Sequence, residues 1–325
     1  MAQIKRIGVL TSGGDSPGMN AAIRAVVRTG MYYELEIFGI RRGFEGLING
    51  DYFQMDRKSV SNIIQRGGTM LKTARSEKFK TPEGRKQAHE QLLKHGIDAL
   101  VVIGGNGTFI GAEAFVKETG FPVIGMPGTI DNDLVGTDFT IGYDTAINTA
   151  IDAIDKIRDT AESHARLFIV EVMGRDSGLI ALRTGMGAGA EAVLVPDTSA
   201  DLEALFYRLE FGRKDKSARI VIVAESEQPG AAFEIGRLVK EKFPNYDTRV
   251  SVLGHIQRGG RPSCMDRVLA SRLGVAAVER LLAGHSGEMV GVVHGEIAYT
   301  PLEKAVKHHV TINEQFKKIV EILSL

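Results

Sequence analysis

With 325 residues, 43% hydrophobic and 25% charged, the chain has the size and composition for one large α/β body or two lobes with a cleft between them. Lysine plus arginine number 40, as do aspartate plus glutamate, so no global charge draws the chain to nucleic acid or to a membrane, and any anion site must be a local cluster of arginines. The single cysteine, Cys264, excludes an internal disulfide and fits a reducing cytoplasm. The start MAQIKRIGVL is too polar for a signal peptide. No stretch approaches the roughly 18 apolar residues that span a bilayer.

Short β-branched runs alternate with helical patterns from the start of the chain. Strands are predicted over 6–10, 36–40, 99–103, 122–126, 167–172, 192–195, 219–224 and 250–253. Helical periodicity covers 18–33 and 145–163, the second with Ile147, Ile151, Ile154 and Ile157 on one stripe. Continuous apolar strands in strand–helix–strand order predict an α/β fold with largely parallel sheets covered on both faces. Two such series, before and after about residue 142, predict two doubly wound lobes. Ligands in such folds sit beyond the carboxyl ends of the strands. Four segments fall there: 11–20 (TSGGDSPGMN), 104–111, 127–133 (PGTIDND) and 173–178 (MGRDSG).

The first segment, Thr11 to Gly18, is either a nucleotide-phosphate loop using the Gly13 and Gly14 backbone or a tight turn capping a helix, with Pro17 suited to the first helical turn. The second, Gly104-Gly105-Asn106-Gly107-Thr108, leaves a strand through glycine, which tolerates unusual φ angles and the close approach of an anion. Phosphate contact is the favoured reading over a structural turn, with nicotinamide chemistry a minor branch. In the third, Asp131 and Asp133 stand two apart, so one can face a substrate hydroxyl and the other a metal. Phosphoryl transfer uses that division, although a solvated Asx-rich turn is the bland alternative. Arg75, Arg166, Arg175, Arg249 and Arg258 flank predicted strand ends or turns and supply guanidinium forks suited to phosphate oxygens. Arg24 and Arg28 share a helix face. Arg213, Lys214 and Lys216 form a basic turn that is also readable as a solvated surface.

Taken together, TSGGDSPGMNAAIR, RGGT with TARS, PGTIDND, VEVMGR and LGHIQRGG resemble the bacterial ATP-dependent 6-phosphofructokinases, over essentially the whole chain. The resemblance implies transfer of the γ-phosphoryl of Mg·ATP to the 1-hydroxyl of fructose 6-phosphate in the cytoplasm, with the active site in the cleft between the lobes. It implies an ATP-binding lobe of 1–142 plus about 257–306, and a sugar-phosphate lobe of 143–256 plus about 307–325. Asp131 is then the general base, Thr129 lies beside the transferring phosphate, Asp133 belongs to the Mg²⁺ environment, and Arg175 with Arg75 stabilises the transferring group. ATP falls to Gly14, Phe44, Arg75, Lys80, Asn106, Gly107, Thr108 and Gly111. The sugar phosphate falls to Thr129, Asp131, Met173, Arg175, Glu225, His255 and Arg258, with Arg166 and Arg249 reaching in from a neighbouring subunit of a homotetramer.

An effector nucleotide site is implied at Arg24, Arg28, Arg57, Arg158, Glu191, Lys214 and Lys216. Asn62, Asp215 and Ala218 depart from the family pattern there. Gly107 and Gly128 stand where pyrophosphate-using relatives carry Asp and Lys, and both leave room for a nucleotide. Asn106 replaces the Asp of the family's Gly-Gly-Asp-Gly, which predicts weakened Mg²⁺ use. A catalytically weakened regulatory or ligand-sensing paralogue is the alternative.

Overall fold

The computed structural model describes residues 4–174, 177–195, 199–212, 216, 218–226, 230–306 and 314–323. The chain divides into a larger unit, Met1–Thr145 with Arg258–His308, and a smaller one, Ala146–Gln257 with His309–Leu325.

In the larger unit the elements run β1 (Arg6–Thr11), α1 (Met19–Tyr32), β2 (Glu36–Ile40), α2 (Gly43–Asn49), β3 (Tyr52–Met55), α3 (Pro82–Lys94), β4 (Ala99–Gly104), α4 (Asn106–Thr119) and β5 (Val123–Pro127). Helix α5 (Tyr143–His164) begins in this unit, which later takes the chain back through α9 (Cys264–Leu282), β10 (Glu288–Val293) and β11 (Glu296–Pro301). The smaller unit holds β6 (Leu167–Val172), α6 (Leu179–Gly187), β7 (Ala192–Leu194), α7 (Ser199–Phe211), β8 (Arg219–Ala224), α8 (Ala231–Lys242), β9 (Thr248–Val252) and α10 (Glu314–Leu323).

The larger sheet has the order β11-β10-β5-β4-β1-β2-β3. Its centre is parallel, and only the edge pairs β2–β3 and β10–β11 are antiparallel. The smaller sheet, β7-β8-β6-β9, is parallel throughout. Residues alternate across the pleat, so β1 sends Ile7 and Val9 toward α1 and α9 while Leu10 faces the cluster of Leu47, Leu92, Phe109 and Phe115. Every residue of β4 is buried, as befits a strand covered on both faces.

The predicted strands appear with ends displaced by no more than two residues, while β3, β10 and β11 escape sequence reading. These three lie at or near the sheet's edges, half-exposed and without a continuous apolar run to mark them, apart from the buried β10 centre. One local expectation is corrected. Pro17 does not occupy the first turn of α1, because the helix starts at Met19 behind Gly18, whose φ of 111° is left-handed and glycine-favouring. No described helix is long and apolar enough to cross a membrane.

Candidate functional site

Strands β1 and β4 are neighbours, and the chain leaves β1 toward β2 on one side and β4 on the other. That is the switch point of a doubly wound sheet, where a crevice opens at the carboxyl ends. Both glycine segments start there. Ser12 N donates to Ile103 O (2.9 Å), and the Thr108 hydroxyl donates to Ser12 O (3.1 Å), tying the first turn to the second. Gly128 N donates to Gly104 O (2.9 Å), which adds the PGTIDND segment. A Cβ on Gly104 would run into Thr108 Oγ1 and Ser12 O, so the turn closes only around glycine. A Cβ on Gly105 would lie 3.3 Å from Thr129 Cβ.

Segment 66–75 joins from the side. Asn20 on α1 donates through Nδ2 to Arg66 O (3.2 Å) and Gly67 O (3.1 Å), and its Oδ1 accepts from Met70 N (2.7 Å). Thr11 Oγ1 meets Thr69 Oγ1 (2.9 Å), and the Thr73 hydroxyl donates to Gly13 O (2.6 Å). Arg75 follows on the exposed rim of this segment. Arg258 covers the first turn: a Cβ on Gly14 would collide with its Nη1, and its Nε is buried without a hydrogen-bond partner among the described residues. Gly67 faces the Gly260 backbone just as closely.

Within 127–133, Asp131 N donates to Thr129 Oγ1 (3.3 Å), and Asp133 is buried while Asp131 and Thr129 are half-buried. The loop is locked by Asn132, which sequence reading passed over. Its φ is 53°, its Nδ2 donates to Asp138 O (3.1 Å), and its Oδ1 accepts from Thr140 N (2.7 Å). An asparagine between two aspartates was the available signal, since asparagine tolerates the left-handed region. Among the described residues no group of three or more His, Cys, Asp or Glu side chains could hold a metal on protein ligands alone. The candidate donors here are carboxylate and amide oxygens only, which suits a hard ion brought in on substrate phosphates.

The remaining nucleotide candidates lie around α4. Asn106 is its first residue, and no acidic residue stands in its first turn. Gly107 is exposed and no described atom lies within 4 Å of where its Cβ would be, so it faces open space. Gly128 differs from the expectation of spare room. A Cβ there would meet Ile103 Cγ2 at 2.9 Å and Met19 Cε at 3.2 Å, so core packing excludes a side chain. Phe44 is buried and stacks on Phe79 with centroids 3.9 Å apart, and Gly111 packs against both rings. Lys80 is exposed and bonded to both Glu77 oxygens at 2.8 Å.

In the smaller unit Met173 is buried, and its N–H donates to Gln257 Oε1 (2.8 Å). Glu225 N donates to Val172 O (2.8 Å), placing both residues at neighbouring strand ends, and His255 is exposed. Arg166 and Arg249 are brought together by a residue not anticipated from sequence, Asp247. Arg166 Nε donates to Asp247 Oδ2 (2.7 Å) and Arg249 Nη2 lies 3.0 Å from Oδ1. The Arg166 hydrogen bond, with the two guanidinium charges, holds the Asp247 carboxyl below its usual range.

Of the effector candidates, Arg24 and Arg28 lie on α1 and Arg57 is exposed after β3, all in the larger unit. In the smaller one, Lys216 pairs with Glu191 (3.0 Å) and Arg158 donates to Ala188 O. Ala218 lies just before β8, and Asn62 sits in a turn with φ 53°. Arg175, Lys214 and Asp215 lie outside the described residues.

The family model described as phosphofructokinase matches residues 6–281. The chain is 54% identical to the ATP-dependent 6-phosphofructokinase of Cytophaga hutchinsonii over 99% of its own length and 98% of that protein's. It is also 54% identical to ATP-dependent 6-phosphofructokinase 1 of Thermus thermophilus, over 99% and 100%. The solved phosphofructokinase of Saccharomyces cerevisiae superposes with a TM-score of 0.85 at 35% identity; it covers 98% of this chain, which spans 48% of the yeast one. A match over most of the chain and relatives this similar over their full length place one conclusion beyond the fold: the chain belongs to the phosphofructokinase family.

Proposed function

We propose that this chain transfers the γ-phosphoryl group of Mg·ATP to the 1-hydroxyl of fructose 6-phosphate, as a cytoplasmic homotetramer. The observation that carries the reading is the meeting of three strand-end segments, 11–14, 104–108 and 127–133, through Ser12, Thr108 and Gly128. Glycine turns at strand ends suit phosphates, and a carboxylate pair next to them suits an acceptor hydroxyl.

In this reading Asp131 takes the proton of the sugar 1-hydroxyl as its oxygen attacks the γ-phosphorus. Thr129 stands beside the transferring group, and Arg75 and Arg175 balance the charge that spreads over its oxygens. Gly14, Lys80, Asn106, Gly107, Thr108 and Gly111 surround the nucleotide, with Phe44 at the adenine end. Asp133 and Asn106 offer oxygens toward Mg²⁺, which when bound neutralises charge on the β- and γ-phosphates. Met173, Glu225, His255 and Arg258 hold the sugar phosphate, and Arg166 and Arg249 serve a neighbouring subunit's site. The larger unit carries the nucleotide and the smaller one the sugar phosphate. Arg24, Arg28, Arg57, Arg158, Glu191, Lys214 and Lys216 receive an anionic effector.

Open space at Gly107 favours the bulk of a nucleotide over pyrophosphate as donor. The test is a coupled assay of ADP release with purified protein, Mg·ATP and fructose 6-phosphate. Turnover dependent on the sugar phosphate is expected, and turnover with pyrophosphate in place of ATP is not. Absence of ADP release would overturn the reading.

A further inference from the structure

Asp266 is 1% exposed and lies two residues into α9, yet its carboxylate is directed at the start of another helix. Oδ1 accepts from Gly142 N (2.8 Å), and Oδ2 accepts from Thr145 N (2.8 Å) and the Thr145 hydroxyl, all at the N-terminus of α5. Thr145 Oγ1 in turn accepts from Ser263 N (2.9 Å), and Ser263 Oγ accepts from Asp266 N (3.2 Å), closing a ring between the two helix starts. The third helix start is close by. A Cβ on Gly18, the residue before α1, would lie 3.6 Å from Asp266 Cβ and would collide with the neighbouring Ile141. Helices α1 and α9 then approach closely at Gly274, where a Cβ would lie 3.2 Å from the Ala22 O of α1.

One buried carboxylate thus joins the starts of α5 and α9, with the Gly18 turn ahead of α1 packed beside it. The N-terminal amides of α5 face the carboxylate and partly compensate its negative charge. Burial above all, with a smaller push from the charge of Asp144, holds the Asp266 carboxyl above its ordinary range against the pull of the Thr145 and Gly142 donors. Each of these helices also directly follows a chemistry-bearing segment. Segment 11–18 precedes α1, 127–142 precedes α5, and 258–263 precedes α9.

We propose that Asp266 is a positioning residue for phosphoryl transfer: its carboxylate fixes the register of the Asp131 loop and the Arg258 turn by joining the starts of α5 and α9, and its packing against Gly18 backs the glycine turn. This rests on the activity proposed above. Asp266→Asn keeps the shape but turns one acceptor oxygen into an N–H donor facing other donors.

The experiment compares wild type, Asp266→Asn and Thr145→Val well below their melting temperatures, by steady-state kinetics and by hydrogen exchange of peptides covering 11–18, 139–145 and 258–263. In Asp266→Asn, kcat is expected to fall roughly 10- to 100-fold, because a misplacement of about 1 Å is enough for such a loss. KM for each substrate should stay within about threefold, since each loop keeps its own ligand contacts. Exchange should quicken in 139–145 and 258–263, with a smaller change in 11–18. Thr145→Val removes one hydroxyl and should lower kcat about threefold with the same pattern. A folded Asp266→Asn protein with wild-type kcat and only a lower Tm would overturn the proposal. If that variant does not fold, Thr145→Val decides, and unchanged kcat with unchanged exchange there overturns it as well. An inactive wild type would instead strike the activity reading, while the exchange comparison would still test the register.

Discussion

In the larger unit the candidate site is assembled from backbone: Ser12 is bonded to Ile103, Thr108 to Ser12, Gly128 to Gly104 and Thr73 to Gly13. In the smaller unit three of the cations expected to meet phosphate are bonded to carboxylates of the same unit, Arg166 and Arg249 to Asp247 and Lys216 to Glu191. The first arrangement is held by hydrogen bonds between the segments themselves. The second is electrostatically satisfied, so an incoming anion must compete with an internal partner. Chemistry that depends on sub-ångström placement belongs in the first, and adjustable binding in the second.

The largest test of this contrast is Asp131→Ala. Losing a positioned base should reduce kcat by about 10²- to 10⁴-fold while sugar-phosphate binding persists, as read by steady-state kinetics and calorimetry. Near-normal turnover would remove the larger unit's claim to the chemistry.

Next comes a pair of glycines in the same crevice. Gly128→Ala should cost about 1–3 kcal/mol in urea unfolding, because its Cβ would press on Ile103 and Met19. Gly107→Ala, in open space on the first turn of α4, should be neutral or slightly stabilising. Equal costs would deny that the two glycines serve different purposes.

Asn106→Asp probes the larger unit's site more gently. A carboxylate at the start of α4 suits both the helix N-terminus and Mg²⁺, so turnover at limiting Mg²⁺ should rise about 10-fold. No gain would show that the amide oxygen already serves.

The smallest effect is expected in the smaller unit. Asp247→Asn removes the charge that Arg166 and Arg249 share, so KM for fructose 6-phosphate should fall about two- to threefold with kcat unchanged. A weaker sugar-phosphate affinity would mean that Asp247 orients the arginines instead of competing for them.

Much of this was legible in advance. Buried strands such as β4 and β6 announce themselves by continuous apolar runs, and the glycine segments that follow β1 and β4 are visible as punctuation at the strand ends. The residues that hold the site together were harder to see. Asn132 reads as one more polar turn residue, Asn20 as a polar position inside a helix, and Asp247 as a surface acid. Ser263-Cys-Met-Asp266 carries a capping-box pattern, but nothing in the pattern says that the carboxylate turns to α5 while Ser263 N donates to Thr145 instead.

The α/β architecture, the two strand–helix series, the strand-end segments and the family they resemble are all readable from the chain alone. The first three are local properties of period, composition and spacing, and the resemblance is carried by the motifs themselves. Only the tertiary structure decided that Gly107 faces space while Gly128 faces core, that Asp247 joins two arginines 83 residues apart in numbering (249 minus 166), and that one buried carboxylate gathers the starts of α5 and α9. Such facts depend on which distant residues the chain closure brings into contact, and spacing along the chain does not encode them.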